Sequence, residues 1–191
     1  ETPASKLIST VGSYALKDIF PFFTPGELES LDNLAYAKVV QVSMGFECWE
    51  GMPLKAFGGL VPSREERDIL GILYPSAFLS GRAPRHGALL SVFLGGTRQP
   101  GVLDWPDDKL LDTVCSEVRE MMGLPVVKPD LVKVSRYPHA IPQYLANSGE
   151  RLGMIKQVQE KYPGLILAGN IRDGIGMADR IKQGRQVADS I

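Results

Sequence analysis

Residues 40–46 alternate between apolar and polar side chains. Apolar residues stand at the even positions Val40, Val42, Met44 and Phe46, with Gln41, Ser43 and Gly45 between them. Because successive side chains of a β-strand point to opposite faces of a sheet, this period of two predicts a strand with one buried face. Residues 88–96 repeat the pattern, with Leu90, Val92 and Leu94 on one side and Phe93 on the other. We therefore expect a sheet whose two faces differ in character.

Further strands are predicted where short apolar runs end at Gly, Pro or Ser. They cover residues 57–63, 68–76 and 131–137. The last of these is expected to stop at Pro138, because proline cannot donate to a sheet ladder. Two more apolar runs, at residues 6–11 and 164–169, have no partner strand beside them in sequence. We predict that these two runs pair with each other in a second layer.

Helices are predicted where apolar residues recur at helical spacing. Thr24 and Glu27 form a capping-box signature around Pro25, and residues 107–122 end at a glycine typical of a helix C-terminus. Residues 147–162 and the segment after Gly176 complete the set. The side chains expected to face inward are Leu110, Leu111, Val114, Val118 and Met121, then Leu152, Ile155 and Val158; the last helix carries Ala178, Ile181, Val187 and Ala188. Runs of strands followed by helices, without strict βαβ alternation, predict an α+β fold with a mixed, largely antiparallel sheet and packed helices.

Composition restricts the function classes. Twenty-one basic and twenty-two acidic residues give a net charge of −1, which provides no electrostatic footprint for nucleic acid. No apolar run approaches the roughly 18 residues needed to cross a bilayer. Cys48 and Cys115 lack a CxxC spacing and are expected to be free, buried thiols of a reducing compartment. The first residue is Glu1, so we expect the chain to be part of a longer protein.

Histidine spacing points to neither a metal site nor a catalytic triad. His86 and His139 are the two histidines, and no HxxxH, HExxH or GxSxG motif occurs. His139 lies between Pro138 and Pro142, in a stretch too rigid for an ordinary central strand or helix interior. We expect no metal ligand and no acid–base catalyst in this chain.

The turn at residues 168–179 is the first candidate site. It releases the chain from a buried strand through Gly169 and Asn170, and then reaches a helix N-terminus through Gly174 and Gly176. Free backbone amides and the helix dipole at such a terminus favour a phosphate or another anion. A plain strand-to-helix turn is the alternative. The glycines resemble a GxGxxG motif, but the third glycine is absent and no βαβ unit follows, so this is not a dinucleotide fingerprint.

Two strands with paired glycines form the second candidate site. Residues 57–63 and 93–98 each place an aromatic residue beside two glycines. Glycines within strands mark bulges or places where a ligand approaches the backbone closely. On the second interpretation Phe57, Leu60 and Phe93 line an apolar pocket with a glycine floor, as a flat aromatic ligand would need.

Taken together, four segments resemble the protoporphyrinogen and coproporphyrinogen oxidases, flavin enzymes of heme biosynthesis in the flavin amine oxidase superfamily. The segments, in the order shared with that family, are AFGGLVPSREERDILGILYPSAFLSGRAP (56–84), LLSVFLGGTR (89–98), RYPHAIPQY (136–144) and GLILAGNIRDGIGMADRIKQG (164–184). The similarity covers nearly the whole chain from Leu7. The family's N-terminal segment, with its GxGxxG motif, has no counterpart here, and Arg180 stands where a cysteine is common.

The resemblance implies a domain organisation and two sets of binding residues. Residues 1–20 would be a strand and connection from the FAD-binding domain, 21–145 the substrate-binding domain, and 146–191 a return into an incomplete, Rossmann-like FAD-binding domain. The residues implied to bind substrate are Phe57, Gly58, Leu60 and Phe93. The residues implied to bind FAD are Gly169, Asn170, Ile175, Gly176 and Met177.

The implied activity is the oxidation of a porphyrinogen, protoporphyrinogen IX or coproporphyrinogen III, to the porphyrin. FAD would accept hydride and oxygen would be the final acceptor, so no catalytic side chain is expected. The resemblance places the protein in the cytoplasm and allows peripheral association with the inner face of the cell membrane. Most FAD contacts would lie upstream, so these 191 residues alone are expected to bind FAD poorly and to be inactive. The alternatives are another enzyme of the superfamily, such as an amine oxidase or a carotenoid-desaturase-like enzyme, and a non-catalytic porphyrin-binding module.

Overall fold

The computed structural model describes residues 4–191. Backbone contacts divide them into a first unit, comprising the described residues up to Tyr36 together with Ile141–Ile191, and a second unit, Ala37–Ala140. The strands are β1 Leu7–Ser9, β2 Ala35–Phe46, β3 Gly58–Leu60, β4 Ile69–Leu73, β5 Ala88–Gly96, β6 Leu131–Gln143 and β7 Leu165–Leu167. The helices are α1 Leu16–Ile19, α2 Pro25–Leu31, α3 Pro75–Phe78, α4 Asp107–Met122, α5 Ser148–Lys161 and α6 Met177–Asp189.

The second unit contains most of a five-stranded sheet with the order β3-β4-β5-β2-β6. The pairs of β2 with β5, β5 with β4, and β4 with β3 are antiparallel. Between Val40 and Phe46 of β2, and between Ala88 and Leu94 of β5, the even-numbered side chains are buried with α4, as the alternation predicts. On α4, Leu110, Val114 and Val118 are buried as expected, but Met121 is exposed and Met122 is buried in its place. The helix ends at Gly123, which has a left-handed conformation, so the predicted cap is confirmed.

Strand β6 continues through two prolines. The prediction that it stops at Pro138 is wrong, because the strand runs from Leu131 to Gln143. Its position explains the difference: β6 lies at the edge of the sheet, with β2 as its neighbour. An edge strand has one row of amides that needs no partner strand, so proline is tolerated there. The strand brings the chain to Tyr144 in the first unit.

The first unit contains a two-stranded parallel sheet in which Ile8 of β1 lies opposite Ile166 of β7. The predicted pairing of the two terminal runs is confirmed. The predicted capping box is also confirmed, because the Glu27 side chain accepts a hydrogen bond from the Thr24 amide and the Thr24 hydroxyl accepts one from the Glu27 amide at the start of α2. The buried residues of this unit are Leu16, Phe20, Phe23, Leu31, Leu34, Ile155, Val158, Leu165, Leu167 and Ile171.

Two helices of the first unit differ from the prediction, α5 at one of three positions and α6 at most of its positions. On α5, Ile155 and Val158 are buried as expected, but Leu152 is exposed and the guanidinium-bearing Arg151 is only 1% exposed. On α6, Ala178 and Ala188 are exposed and Ile181 is 70% exposed, whereas Gln183 is buried. The reason is that Arg151 of α5 and Gln183 of α6 make polar contacts to the turn between β7 and α6, described below.

The architecture is α+β, with a largely antiparallel five-stranded sheet and a separate parallel pair. The predicted fold class is confirmed. Of the two cysteines, Cys48 is exposed, so the expectation that both are buried is wrong. None of the helices within residues 4–191 combines the length and apolar character needed to span a membrane.

Candidate functional site

The turn between β7 and α6 begins where the two parallel strands end. Gly169 follows β7 and lies against Thr10, which follows β1. A Cβ atom on Gly169 would lie 2.5 Å from the carbonyl oxygen of Thr10, and its φ of +82° also disfavours any other residue. The carboxyl ends of strands are the edge at which open parallel sheets bind ligands. Glycine at this position therefore lets the turn pass close to the backbone of Thr10, at the carboxyl end of β1.

The backbone carbonyls of this turn are held by side chains from three other elements. Six consecutive carbonyls, from Gly169 to Gly174, have such partners. The Tyr144 hydroxyl lies 2.8 Å from the carbonyl oxygen of Asn170 and 3.1 Å from that of Gly174. Arg151 donates from Nε to the Ile171 carbonyl at 3.0 Å. The turn is thus fixed by groups that approach its carbonyl side.

Arg180 contributes the largest share of these contacts. Its two terminal nitrogens donate to the carbonyls of Gly169, Arg172 and Asp173, the last two at 2.8 Å. Gln183, one turn further along α6, accepts a hydrogen bond from the Gly169 amide at 2.8 Å. Its own amide nitrogen donates to the Asp173 carboxylate at 2.8 Å. These two side chains explain why this face of α6, and not Ile181, is turned toward the protein.

The anchored carbonyls determine where the amides of the turn point. In a planar trans peptide, the carbonyl of one residue and the N–H of the next point in opposite directions. The described residues contain no cis peptide bond. The N–H groups of Asn170, Asp173 and Gly174 therefore point away from the arginine that holds the preceding carbonyls. Within residues 4–191, the amides of Asp173, Gly174 and Ile175 make no hydrogen bond. Such amides suit an anionic group such as a pyrophosphate.

Burial changes the acid–base properties of two anchoring side chains. Removal from water lowers the pKa of the Arg151 guanidinium, which also lies 5.3 Å above the ring centre of Tyr144. Burial likewise raises the pKa of the Tyr144 hydroxyl, although the nearby Arg180 acts in the opposite direction. Tyr144 therefore stays protonated and able to donate at neutral pH.

All five predicted cofactor residues lie in this turn or at the first position of α6. Gly169 is buried and Asn170 is half-buried. Ile175 exposes half of its surface and Met177 exposes most of its surface. The Gly176 amide donates to the Asp179 carboxylate at 3.1 Å, so the protein itself uses that amide.

A groove of about 490 Å³ runs beside the turn between the end of β1 and α6. The side-chain oxygen of Asn170 is buried without a hydrogen-bond partner among the described residues, which marks an atom able to bind a ligand donor.

The predicted substrate residues meet on the sheet face opposite α4. Strand register places Leu60, Gly71 and Phe93 opposite one another on β3, β4 and β5, and Gln41 of β2 continues the row. The adjacent row contains Gly58, Leu73, Ser91 and Ser43. A Cβ atom on Gly71 would lie 2.5 Å from the carbonyl oxygen of Gly59 and 3.1 Å from Cδ2 of Leu60, so glycine at this position lets β3 pack closely against β4. The structure thus brings three of the four predicted residues together on one face.

Phe57 lies just before this face. Its ring stacks on Phe78 of α3, with the ring centres 3.9 Å apart, although Phe57 remains 62% exposed. The next residue, Gly58, has a φ of +142°, and a Cβ there would lie 2.3 Å from the carbonyl oxygen of Ile72. Glycine at this position therefore lets β3 approach β4 closely, beside an exposed aromatic pair.

Sequence reasoning missed the residues that position both sites. Tyr144, Arg151 and Gln183 hold the turn, and Gly71 and Gln41 complete the sheet row. A signal existed for Arg151 alone: its position four residues before Ile155 places it on the helical face predicted to be buried. Among residues 4–191 no cluster of His, Cys, Asp or Glu side chains could hold a metal ion.

Comparison with known proteins places the chain in a family. The model of the flavin containing amine oxidoreductases matches residues 1–191, and the chain belongs to this family. The chain is 30% identical over 181 residues to protoporphyrinogen oxidase 1, chloroplastic, of Spinacia oleracea, covering 90% of this chain and 32% of the spinach protein. It is 32% identical over 173 residues to coproporphyrinogen III oxidase of Propionibacterium freudenreichii subsp. freudenreichii, covering 87% of this chain and 31% of that protein. The chain spans about a third of the length of these curated relatives.

Solved structures share the fold. A protein of Exiguobacterium sp. 255-15, proposed to be a protoporphyrinogen oxidase, aligns over 98% of this chain and 41% of its own, with a TM-score of 0.78 at 22% identity. Reduced UDP-galactopyranose mutase aligns over 86% of this chain and 35% of its own, with a TM-score of 0.68 at 14% identity. At these identities the likeness concerns the fold alone.

Proposed function

We propose that the protein containing this chain is an FAD-dependent porphyrinogen oxidase, which oxidises protoporphyrinogen IX or coproporphyrinogen III to the porphyrin with oxygen as the final acceptor. In this proposal the described residues 21–145 supply the substrate-binding domain, and the segments 1–20 and 146–191 belong to the FAD-binding domain. The relatives named above support the activity, since both are porphyrinogen oxidases.

The observation that carries the substrate assignment is the alignment of Leu60 and Phe93 on the sheet face opposite α4. Leu60 is 84% exposed and Phe57, just before β3, is 62% exposed, so these side chains offer apolar surface to a flat macrocycle. Gln41 ends the row with an amide group, which offers an acceptor to a pyrrole N–H. These side chains would orient the macrocycle and exclude water. None of them is an acid–base catalyst.

The turn 169–177 would hold the cofactor. Its outward amides and the N-terminus of α6 suit the anionic or hydroxyl-bearing part of FAD, and the Asn170 side-chain oxygen offers an acceptor. The flavin would supply the hydride acceptor, while this chain's residues bind and position the two partners. No acid–base role is assigned to His139 of β6 or to any side chain of the turn.

The test is a fluorescence assay on the full-length protein containing this chain. Porphyrins fluoresce and porphyrinogens do not, so activity appears as fluorescence gained after FAD and one porphyrinogen are added in air. We expect gain with at least one of the two porphyrinogens, and none when FAD has been removed. An absence of gain with both, in a protein that retains FAD, would contradict the proposal and favour another reaction of the family.

A further inference from the structure

We propose that Arg180 is a positioning residue that sets the shape of the cofactor turn before FAD binds. The inference rests on the function proposed above for the ligand, but the shape of the turn can be measured without any ligand. Its basis is that one side chain holds three of the six consecutive carbonyls between Gly169 and Gly174, those of Gly169, Arg172 and Asp173.

The partners of Arg180 distinguish it from an ordinary surface arginine. All four acceptors are uncharged: the three carbonyls and the side-chain oxygen of Gln183 at 2.9 Å. The neighbouring Arg172, in contrast, pairs with the Asp173 carboxylate at 2.7 Å. A guanidinium has five N–H donors in a planar fork, and here its two ends reach carbonyls three and four residues apart in sequence. Lysine offers one nitrogen and cannot span that separation.

The geometry connects this fork with ligand binding. Because the peptide groups are trans, fixing those three carbonyls also fixes the N–H groups of Asn170, Asp173 and Gly174 on the opposite side. A turn that wandered between conformations would present these amides only part of the time. The apparent affinity for the ligand falls in proportion to that fraction, so anchoring the carbonyls strengthens binding without any contact between Arg180 and the ligand.

Gln183 makes the arrangement a connected unit. Its side-chain oxygen accepts from both the Gly169 amide and Arg180, while its nitrogen reaches the Asp173 carboxylate. Gln183 is 6% exposed, so these bonds lie away from water and compete little with it. The two ends of the turn, at Gly169 and Asp173, are therefore joined through one helical face of α6.

The test compares three variants of the full-length protein. Arg180→Met removes the fork and keeps an unbranched apolar stem, whereas Arg180→Lys keeps the charge and removes the fork. Arg185→Met is the matched control, because Arg185 lies on the same helix, is highly exposed, and reaches only Asp189 at 3.9 Å. Each variant is first checked for a native circular dichroism spectrum.

The first readout is amide hydrogen exchange of the FAD-free protein. We expect the amides of Gly169 and Arg172, which are hydrogen-bonded within the protein, to exchange about ten- to a hundredfold faster in both Arg180 variants, because the segment that holds them loses one or two hydrogen bonds to a charged group. Peptides from α4 and the whole Arg185→Met protein should exchange as in the wild type. Unchanged exchange of the Gly169 and Arg172 amides in Arg180→Met overturns the inference.

The second readout is the dissociation constant for FAD, measured by flavin fluorescence. We expect binding about tenfold weaker in both Arg180 variants and unchanged in Arg185→Met. Wild-type affinity in Arg180→Lys would overturn the inference, since charge alone would then be sufficient. If the wild-type protein binds no FAD, the proposed function fails, and the exchange data alone still support or overturn the role of Arg180 in shaping the turn. Should Arg180→Met not fold, Arg180→Lys supplies both readouts.

Discussion

Replacing Gly169 by alanine should strongly destabilise the first unit. The new Cβ atom would meet the carbonyl oxygen of Thr10 at 2.5 Å, about 0.9 Å closer than the 3.4 Å of ordinary contact, and would also approach the carbonyl carbon and Cα of Thr10. All three atoms belong to the backbone, so no side chain can rotate away. The end of β1 and the start of the turn would have to separate.

The expected magnitude follows from two contributions. A non-glycine residue in a left-handed conformation costs about 1–2 kcal/mol, and overpacking that moves a backbone costs about 1–3 kcal/mol. Together they predict a loss of about 2–5 kcal/mol, a large part of the roughly 5–15 kcal/mol that stabilises a typical domain. Urea unfolding followed by circular dichroism measures the loss as a lower midpoint at an unchanged slope.

Gly153→Ala provides the matched control. Gly153 lies inside α5, in the same unit, and a Cβ atom there would have no neighbour within 4 Å. Alanine is favoured over glycine in a helix interior by about 0.8–1.0 kcal/mol, so this change should raise stability. The reasoning is refuted if Gly169→Ala unfolds within about 0.5 kcal/mol of the wild type, the range of a neutral surface change.

Three further predictions concern other parts of the chain. The pKa of Glu27 is lowered, mainly by the hydrogen bond that it accepts from Lys161 at 2.7 Å, so its charged form stabilises the folded state above the unfolded pKa of about 4.3, and this contribution is lost as the pH falls through the folded-state pKa. Glu27→Gln should flatten that acid limb in urea titrations at several pH values. Ile155→Ala should cost about 2–5 kcal/mol and Leu152→Ala less than about 0.5 kcal/mol in the same assay, and equal losses would contradict the observed face of α5. On the proposed function, Phe57→Ala should raise the KM for the porphyrinogen about tenfold with FAD content unchanged, which steady-state fluorescence kinetics and flavin absorbance can measure; an unchanged KM would remove Phe57 from the substrate site.

The period-two pattern predicted the sheet well because each strand has one apolar face. Val42 and Val92 lie opposite each other in the core, as the alternation requires. The same reasoning failed at Pro138. A proline stops a strand only where the N–H group that it lacks would have to pair with a neighbouring strand. Whether β6 is a central or an edge strand depends on sheet order, which no local pattern contains.

Helix faces were predicted less well where polar contacts determine orientation. Counting apolar residues favoured Ile181 as an inward residue of α6, but Arg180 and Gln183 turn toward the carbonyls of the preceding turn instead. The positions of the glycines in that turn were visible in the sequence. The acceptors that Arg180 and Gln183 find depend on the tertiary fold, so the anchored carbonyls could not be predicted.

The most direct test of the account is an experimental structure of the full-length protein with FAD bound. The account predicts that a phosphate or ribityl oxygen of the cofactor lies within hydrogen-bond distance of at least one backbone amide between Asn170 and Ile175, with the Arg180 fork still on the opposite side of the turn. A cofactor bound elsewhere, with no atom near these amides, would contradict the assignment of this turn as the flavin site.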